Sequence, residues 1–186
     1  MTFDLRKKQV LAKIDKSKKG SVDEHIKPVL DYLNKQPDYY TTSSCSGRIL
    51  VMSIPRGGKK NEVEWLFVSH DPVKAEEVRA AFKSLPKHPV WFQQEPMILH
   101  VCCKTTTAAE RLLQTAKKSG FKHSGITGLK RIIVELVGCD EMATIIADDG
   151  GLVIDAAYLE ILVHEANERL SNNLRRIKRL YALLKG

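Results

Sequence analysis

Residues 38–51, DYYTTSSCSGRILV, place a dense run of small polar residues between two β-prone segments. The segment from Tyr39 and the run RILVMSIP from Arg48 are rich in aromatic and β-branched residues, which predicts two strands. Backbone N–H groups of a glycine-containing turn, serine hydroxyls and a forked guanidinium together suit a carboxylate or a phosphate. The stretch therefore predicts an anion cradle. The alternative is an ordinary hairpin turn whose serines bond their own backbone.

Further strands are predicted on both sides of this stretch by short apolar runs. RILVMSIP and EVEWLFVSH, separated by the glycine-bearing loop RGGKKN, predict a hairpin. VWFQQ, PMILHVCCK, RIIVELV and EMATIIA predict four more strands, whereas the glycine-spaced segment HSGITGLK predicts a turn.

Helices are predicted where apolar residues recur every three or four positions. They are expected over 3–18, from a capping box at Ser21–Glu24, from an N-cap at Asp71, from a capping box at Thr107 and Glu110, and over about 155–184. Pro28 predicts either a kink in the second helix or a start later than its capping box implies. Gly120 is placed to end the fourth helix.

The order of strands, helix, strands and helix suggests a duplicated unit with flanking N-terminal helices and a long C-terminal helix. The chain length suggests one domain, at most two small ones, and we expect a single domain over residues 1–186. The chain has neither G-x-G-x-x-G nor a P-loop motif, so a Rossmann nucleotide site is not predicted.

Composition predicts a soluble, cytoplasmic protein with an anionic partner. The sequence has no apolar run of about 18 residues, and its start lacks the apolar centre of a signal peptide. Residues 1–19 carry seven Lys or Arg against two Asp, and residues 169–186 carry six against no acid, within a net charge of +8. Such basic ends favour nucleic acid, with a merely solvated basic surface as the alternative. The cysteines lack CxxC pairs, so neither a zinc site nor a disulfide framework is predicted.

Chemistry-bearing side chains lie in the opening stretch and at predicted strand ends. Cys45 stands three residues before Arg48, and an arginine can lower the pKa of a thiol. A thiol enzyme that pairs Cys45 with His70 or His100 is therefore one possibility, and an inert buried cysteine is the other. Glu95, His123 and Ser124 are weaker candidates near predicted strand ends and turns.

Several segments together resemble the tRNA wybutosine-synthesizing protein 3 family, in its archaeal form. They are YYTTSSCSGRI, the tryptophan and VSH at 65–70, EPMILHVCC at 95–103, SGFKHSGIT with KR at 119–131, and the amino-terminal DKSKKGSVDE. The resemblance spans nearly the whole chain in the family's order.

The resemblance implies an S-adenosylmethionine-dependent methyltransferase with an α+β fold unlike the Rossmann methyltransferases. Its expected substrate is N4 of a wyosine-type precursor base, which carries an aminocarboxypropyl side chain and lies beside the anticodon of tRNA(Phe). The expected binding residues are Ser43, Ser44, Cys45, Ser46, Gly47, Arg48, Ser124, Gly125 and Arg131, and the candidate bases are His70, Glu95 and His100. Neither a metal nor a membrane is expected, and the rival function is a non-catalytic tRNA-binding module.

Overall fold

The computed structural model describes residues 2–12, 22–59, 62–128 and 130–186. The elements follow one another as α1 (Phe3–Leu11), α2 (Lys27–Lys35), β1 (Tyr39–Cys45), β2 (Arg48–Ser53), β3 (Glu64–Ser69), α3 (Ala75–Arg79), a 3-10 turn (Ala80–Lys83), β4 (Val90–Glu95), β5 (Ile98–Cys103), α4 (Thr106–Ser119), β6 (Gly125–Gly128), β7 (Ile132–Val137), β8 (Met142–Asp148), β9 (Gly151–Leu152) and α5 (Ala156–Lys185). Every strand pairing is antiparallel, so the expected α+β class, distinct from a Rossmann sheet, is confirmed.

The described residues divide into two compact units. Unit 1 takes its residues from Met1–Ser46, Met97–Cys139 and Asn173–Gly186, and unit 2 from Gly47–Pro96 and Asp140–Asn172. Each unit holds one sheet, whose strand order is β1-β5-β7-β6 in unit 1 and β3-β2-β4-β8-β9 in unit 2. The sheets draw their strands alternately along the chain, so neither sheet corresponds to a consecutive half of the sequence.

The core of unit 1 lies on one face of its sheet. Alternation along β5 and β7 buries Leu99, Val101, Val134 and Leu136, because successive side chains of a strand point to opposite faces. Helix residues that complete this core are Ile26, Val29, Leu30, Leu33, Ala108, Ala109, Leu112, Ala116, Ile177 and Leu180. The opposite face of the sheet lies outside this core.

A β-bulge in β1 decides which side chains share that opposite face. Tyr40 pairs with Cys102 and Ser43 pairs with His100, and the register shifts between Thr41 and Ser43. The extra residue puts Tyr40 and Ser43 on one face although three positions separate them, a re-aiming that is typical of bulges.

Unit 2 contains the predicted hairpin, since β2 and β3 pair from Ile49↔Ser69 to Ser53↔Glu64. Strand β2 lies between β3 and β4, and its residues Ile49, Leu50 and Val51 are fully buried. Such near-continuous burial of a central strand fits its unbroken apolar sequence.

The hairpin-turn interpretation of residues 43–48 is wrong. Strand β1 pairs with β5, and β2 pairs with β3 and β4, so the two strands belong to different sheets. Residues 46 and 47 carry the chain from one sheet to the other, and Gly47 has φ +96°, which a side chain would strain. Most of the small polar residues therefore belong to strand β1 instead of a turn.

The structure tests three predicted helix starts, those of α2, α3 and α4. Helix α2 begins at Lys27 with Pro28 in its first turn, so the later start is confirmed and Pro28 kinks nothing; Ser21 lies outside the described residues. The N-cap at Asp71 is wrong, because α3 begins at Ala75, where the Glu77 carboxylate accepts the Lys74 N–H at 2.6 Å.

The capping box at Thr107 and Glu110 is also wrong. Thr105 is the N-cap of α4, and its hydroxyl accepts the Ala108 N–H at 3.1 Å. Gly120 ends this helix in the left-handed conformation with φ +109°, as predicted. The segment HSGITGLK holds strand β6 where a turn was expected, because its backbone pairs with β7.

The first and last helices follow the sequence closely. Helix α1 covers Phe3–Leu11 of the predicted 3–18, and residues 13–18 lie outside the described residues. The apolar stripe of α5 is buried as expected at Leu159, Leu162, Val163, Ala166, Leu170, Ile177 and Leu180. In the described part of the chain, no helix combines the length and apolar character needed to cross a bilayer.

Candidate functional site

Four residues form a row across the open face of the unit 1 sheet. Ser43 on β1 pairs with His100 on β5, His100 pairs with Glu135 on β7, and Glu135 pairs with Gly125 on β6. We call Ser43, His100, Glu135 and Gly125 the polar row. Ser43, His100 and Glu135 lie far apart in sequence, and strand register aligns them.

Hydrogen bonds connect the first three members of the polar row. The Ser43 Oγ lies 2.6 Å from His100 Nδ1, and His100 Nε2 lies 2.7 Å from Glu135 Oε2. An ionised carboxylate only accepts hydrogen bonds, so His100 Nε2 carries the proton. In the neutral imidazole Nδ1 is then the acceptor, and the Ser43 hydroxyl donates to it.

The surroundings of the polar row are open at one end and covered on one side. A Cβ added at Gly125 would meet no atom within 4 Å. The neighbouring pair, Tyr40 and Cys102, is buried, and the ring of Phe3 lies 5.2 Å from that of Tyr40. Ser43 itself is exposed, so the row presents a hydroxyl to solvent.

A second buried network in unit 1 fixes the carboxyl end of the TTSSCS segment. The Ser46 N–H donates to Asp23 Oδ2 at 2.9 Å. Asn173 Nδ2 donates to the Ser46 carbonyl at 2.7 Å, and Asn173 Oδ1 accepts the Met97 N–H at 2.8 Å. Because Ser46 and Asn173 are fully buried, these bonds hold the backbone that follows β1 in one conformation.

Unit 2 contributes a charged pair beside an aromatic ring. Arg48 Nε donates to Glu95 Oε2 at 2.6 Å, and the Arg48 guanidinium lies 4.8 Å from the Trp65 ring centroid. The Arg48 side chain is 28% exposed. Stacking on an aromatic face and a single ion pair hold the guanidinium in place while leaving further N–H donors in its fork.

His70, also in unit 2, is held by a backbone carbonyl. Its Nδ1 lies 2.9 Å from the Gly47 oxygen. A carbonyl accepts only, so Nδ1 carries the proton and Nε2 is the acceptor side of the neutral ring.

The cysteines differ in burial. Burial raises the pKa of the Cys103 thiol to about 12, which keeps it protonated at neutral pH. Burial, and then a hydrogen bond with Cys102, raise the pKa of Tyr40 to about 12. Cys45 is only partly buried, and Cys139 is exposed.

Of the remaining predicted binding residues, Ser124 is structural in its contacts. Its hydroxyl donates to the Phe121 carbonyl at 2.9 Å and accepts the Val137 N–H at 3.3 Å. Arg131 is exposed and immediately precedes β7, and Ser44 lies on β1 beside Ser43.

Glu135, Asp23 and Asn173 were not predicted from the sequence. Glu135 had a signal, because an acidic residue inside the apolar run RIIVELV must point to an open face of its strand. Asp23 and Asn173 had none that a single sequence provides, since long-range contacts to the backbone create their role.

One buried amide in unit 2 is not satisfied by the protein. Gln94 is fully buried, and neither of its amide atoms has a hydrogen-bond partner among the described residues. An unsatisfied buried polar group costs stability, so it often indicates a functional constraint.

Comparison with known proteins identifies relatives over almost the whole chain. A family model described as Methyltransferase TYW3 matches residues 5–186. A mouse protein named tRNA wybutosine-synthesizing protein 3 homolog is 39% identical over 98% of this chain and 72% of its own length. A protein of Pyrococcus furiosus is 37% identical over 96% of this chain and 92% of its own length. Its name is tRNA(Phe) 7-((3-amino-3-carboxypropyl)-4-demethylwyosine(37)-N(4))-methyltransferase 1.

A solved structure shares the fold. The PH1069 protein of Pyrococcus horikoshii superposes with a TM-score of 0.91 and 35% identity, covering 98% of this chain and 96% of that chain.

Proposed function

The chain belongs to the methyltransferase TYW3 family, and on this premise we propose that it transfers a methyl group from S-adenosylmethionine to N4 of the aminocarboxypropyl-demethylwyosine base of tRNA(Phe). The observation that carries the proposal is its 37% identity over 92% of the Pyrococcus furiosus enzyme, whose name states this reaction. The enzyme is thus a tRNA methyltransferase that acts in wybutosine-derivative biosynthesis.

The residues of this chain fit the carboxylate of such a cofactor. When bound, S-adenosylmethionine supplies an electrophilic methyl group on its sulfonium. A forked donor suits its α-carboxylate, and Arg48 offers one that Glu95 and Trp65 hold in place. We assign Arg48 to that carboxylate, and its competing assignment is a tRNA phosphate.

The small residues of the motif suit the close approach of a ligand. Ser44 and Cys45 follow Ser43 along the edge strand β1, and the backbone then turns through Ser46 and Gly47. We propose that Ser44 and Cys45 line the binding site in unit 1, with Gly125 and Arg131 of the same unit as further contacts to substrate. Ser124 acts in this proposal by fixing the backbone that precedes Gly125.

Methylation of a ring N–H requires that its proton leave as the nitrogen attacks the methyl carbon. Displacement at the sulfonium is in line, so positioning of the two reactants supplies much of the rate. Glu95 is the weaker candidate because its Oε2 already accepts the Arg48 Nε–H at 2.6 Å. His70 and His100 remain, the first with Nε2 as its acceptor nitrogen and the second within the polar row.

The tRNA partner accounts for the charge of the chain. A net charge of +8 favours phosphate contact, and α1 contributes Arg6, Lys7 and Lys8 in unit 1. Chemistry on a base also requires that the base leave its stack, which costs a few kcal/mol. A tRNA substrate favours the cytoplasm as the compartment.

Two measurements test the proposal against a non-catalytic tRNA-binding module. Calorimetry with S-adenosylmethionine alone should give saturable binding, which a mere RNA-binding module would lack. Incubation with radiolabelled S-adenosylmethionine and tRNA(Phe) bearing the unmethylated precursor should then transfer label to the tRNA. Salt-sensitive tRNA binding without cofactor binding or label transfer would overturn the proposal.

A further inference from the structure

We infer that Ser43, His100 and Glu135 of the polar row form a proton relay. Ser43 takes the proton from N4 of the substrate base, His100 takes the hydroxyl proton of Ser43, and Glu135 positions His100. This inference deepens the proposed function and rests on it. It assigns the base among the candidates and adds Glu135, a residue for which neither the motif nor the comparisons give a role.

The hydrogen bonds of His100 exclude direct attack on the substrate proton. Nδ1 is 2.6 Å from Ser43 Oγ and Nε2 is 2.7 Å from Glu135 Oε2, so protein groups already occupy both ring nitrogens. The imidazole is also only partly exposed, at 28% of its side chain. A substrate proton can therefore reach His100 only through one of its two partners.

Ser43 is the partner that faces a substrate. It is exposed, whereas the Glu135 oxygen is engaged by His100 and its side chain is 30% exposed. Since Ser43 donates its own proton to Nδ1, the lone pairs of Oγ are left to accept a proton from a ligand N–H. The hydroxyl is thus oriented as an acceptor before any substrate arrives.

The relay conserves atoms and charge. As the ring nitrogen bonds to the methyl carbon, the carbon–sulfur bond breaks and its electron pair stays on sulfur, which leaves as a neutral thioether. The ring proton passes to Ser43 Oγ while the Ser43 proton passes to His100 Nδ1, so the serine ends neutral. The positive charge that the sulfonium loses is gained by the His100 imidazolium. The imidazolium later returns its proton to solvent through Ser43.

Glu135 is a positioning residue because it acts through His100. Its carboxylate accepts the Nε2–H, which fixes the tautomer that leaves Nδ1 basic. It also stabilises the imidazolium that forms, as a carboxylate does for the histidine of a catalytic triad. The register of β5 and β7 holds the pair without a loop.

The test compares Ser43→Ala, Ser43→Thr and Glu135→Gln in single-turnover methylation of precursor-bearing tRNA(Phe). We expect Ser43→Ala to lower the rate about 100-fold, within the range of general acid–base catalysis. Ser43→Thr should restore most of it, because a β-branched hydroxyl residue suits a strand. Glu135→Gln should lower the rate, since the amide no longer stabilises the imidazolium. For the same reason it should shift the pH at which the methylation rate reaches its alkaline plateau.

Thr42→Ala is the matched control. Thr42 is the exposed hydroxyl residue next to Ser43 and lies outside the polar row. Its hydroxyl donates to the His100 backbone carbonyl at 3.4 Å and not to the imidazole, whose two nitrogens bond Ser43 and Glu135, so this variant should keep the wild-type rate. Thermal melts of each variant establish that it is folded. An active wild type with an equally active Ser43→Ala, or a Glu135→Gln profile that matches wild type, would overturn the relay and leave the proposed function intact. An inactive wild type would overturn the proposed function itself.

Discussion

Arg48 and Glu95 face each other across β2 and β4, and the Arg48 Nε donates to Glu95 Oε2 at 2.6 Å. The pair joins the last residue of the SSCSGR motif to the EPMILHVCC segment, which lies far away in sequence. The ion pair and the Trp65 ring fix the orientation of the guanidinium. An anion can therefore be recognised by the direction of the guanidinium N–H donors as well as by the charge.

Arg48→Lys should raise the KM for S-adenosylmethionine about tenfold, because lysine keeps the charge but loses the fork and the stacking on Trp65. Steady-state methylation with each substrate varied in turn measures the effect. Arg56→Lys is the control, since Arg56 is in an exposed pair with Asp148 in the same unit. A raised KM for tRNA alone would instead assign Arg48 to a phosphate.

Asn173→Ala should lower the free energy of unfolding by roughly 2–5 kcal/mol, because the Met97 N–H and the Ser46 carbonyl would lose their buried partner. Urea denaturation measures the loss. Gln114→Ala removes an exposed amide from α4 and should change the free energy of unfolding by less than about 0.5 kcal/mol. Equal effects of the two substitutions would contradict the role given to the Asn173 network.

Gln94→Met should stabilise the protein by about 1–3 kcal/mol, because it removes an amide that is buried without a partner and keeps a similar volume. A thermal melt measures the gain. Gln93→Met, on the adjacent and more exposed position of β4, is the control and should have little effect. A destabilised Gln94→Met protein would show that the amide is satisfied within the fold.

Alkaline pH should weaken the fold through Cys103. Its pKa is raised from 9.0 to about 12, so between these values the native state keeps a proton that the unfolded chain releases. Unfolding then releases a proton, and the free energy of unfolding falls as the pH rises through this window. Cys103→Ala should flatten the fall, whereas Cys139→Ala, at an exposed site, should not. Parallel pH curves for all three proteins would contradict this assignment.

The sequence predicts most of the elements because their patterns are local. The stripe of α5, the stop at Gly120 and the β2–β3 hairpin each depend on residues within a short window. The pairing of β1 with β5 in one sheet and of β2 with β4 in another depends on long-range register, which no local pattern encodes.

The same difference applies to the site. The motif placed Ser43 and Arg48 among the candidates, and the search for a histidine partner of Cys45 added His100. Glu135 joins them only because strand pairing aligns Ser43, His100 and Glu135 across the sheet. The bulge that turns Ser43 toward that face leaves no recognisable trace in the sequence TTSS.

Nucleoside mass spectrometry detects the proposed methylation itself. The protein is incubated with S-adenosylmethionine and with tRNA(Phe) that carries the aminocarboxypropyl-demethylwyosine base, and the tRNA is then digested to nucleosides. We expect the precursor nucleoside to gain the mass of one methyl group, with fragmentation placing that methyl on the tricyclic base. A precursor of unchanged mass, recovered after incubation with folded protein that binds the cofactor, would contradict the account.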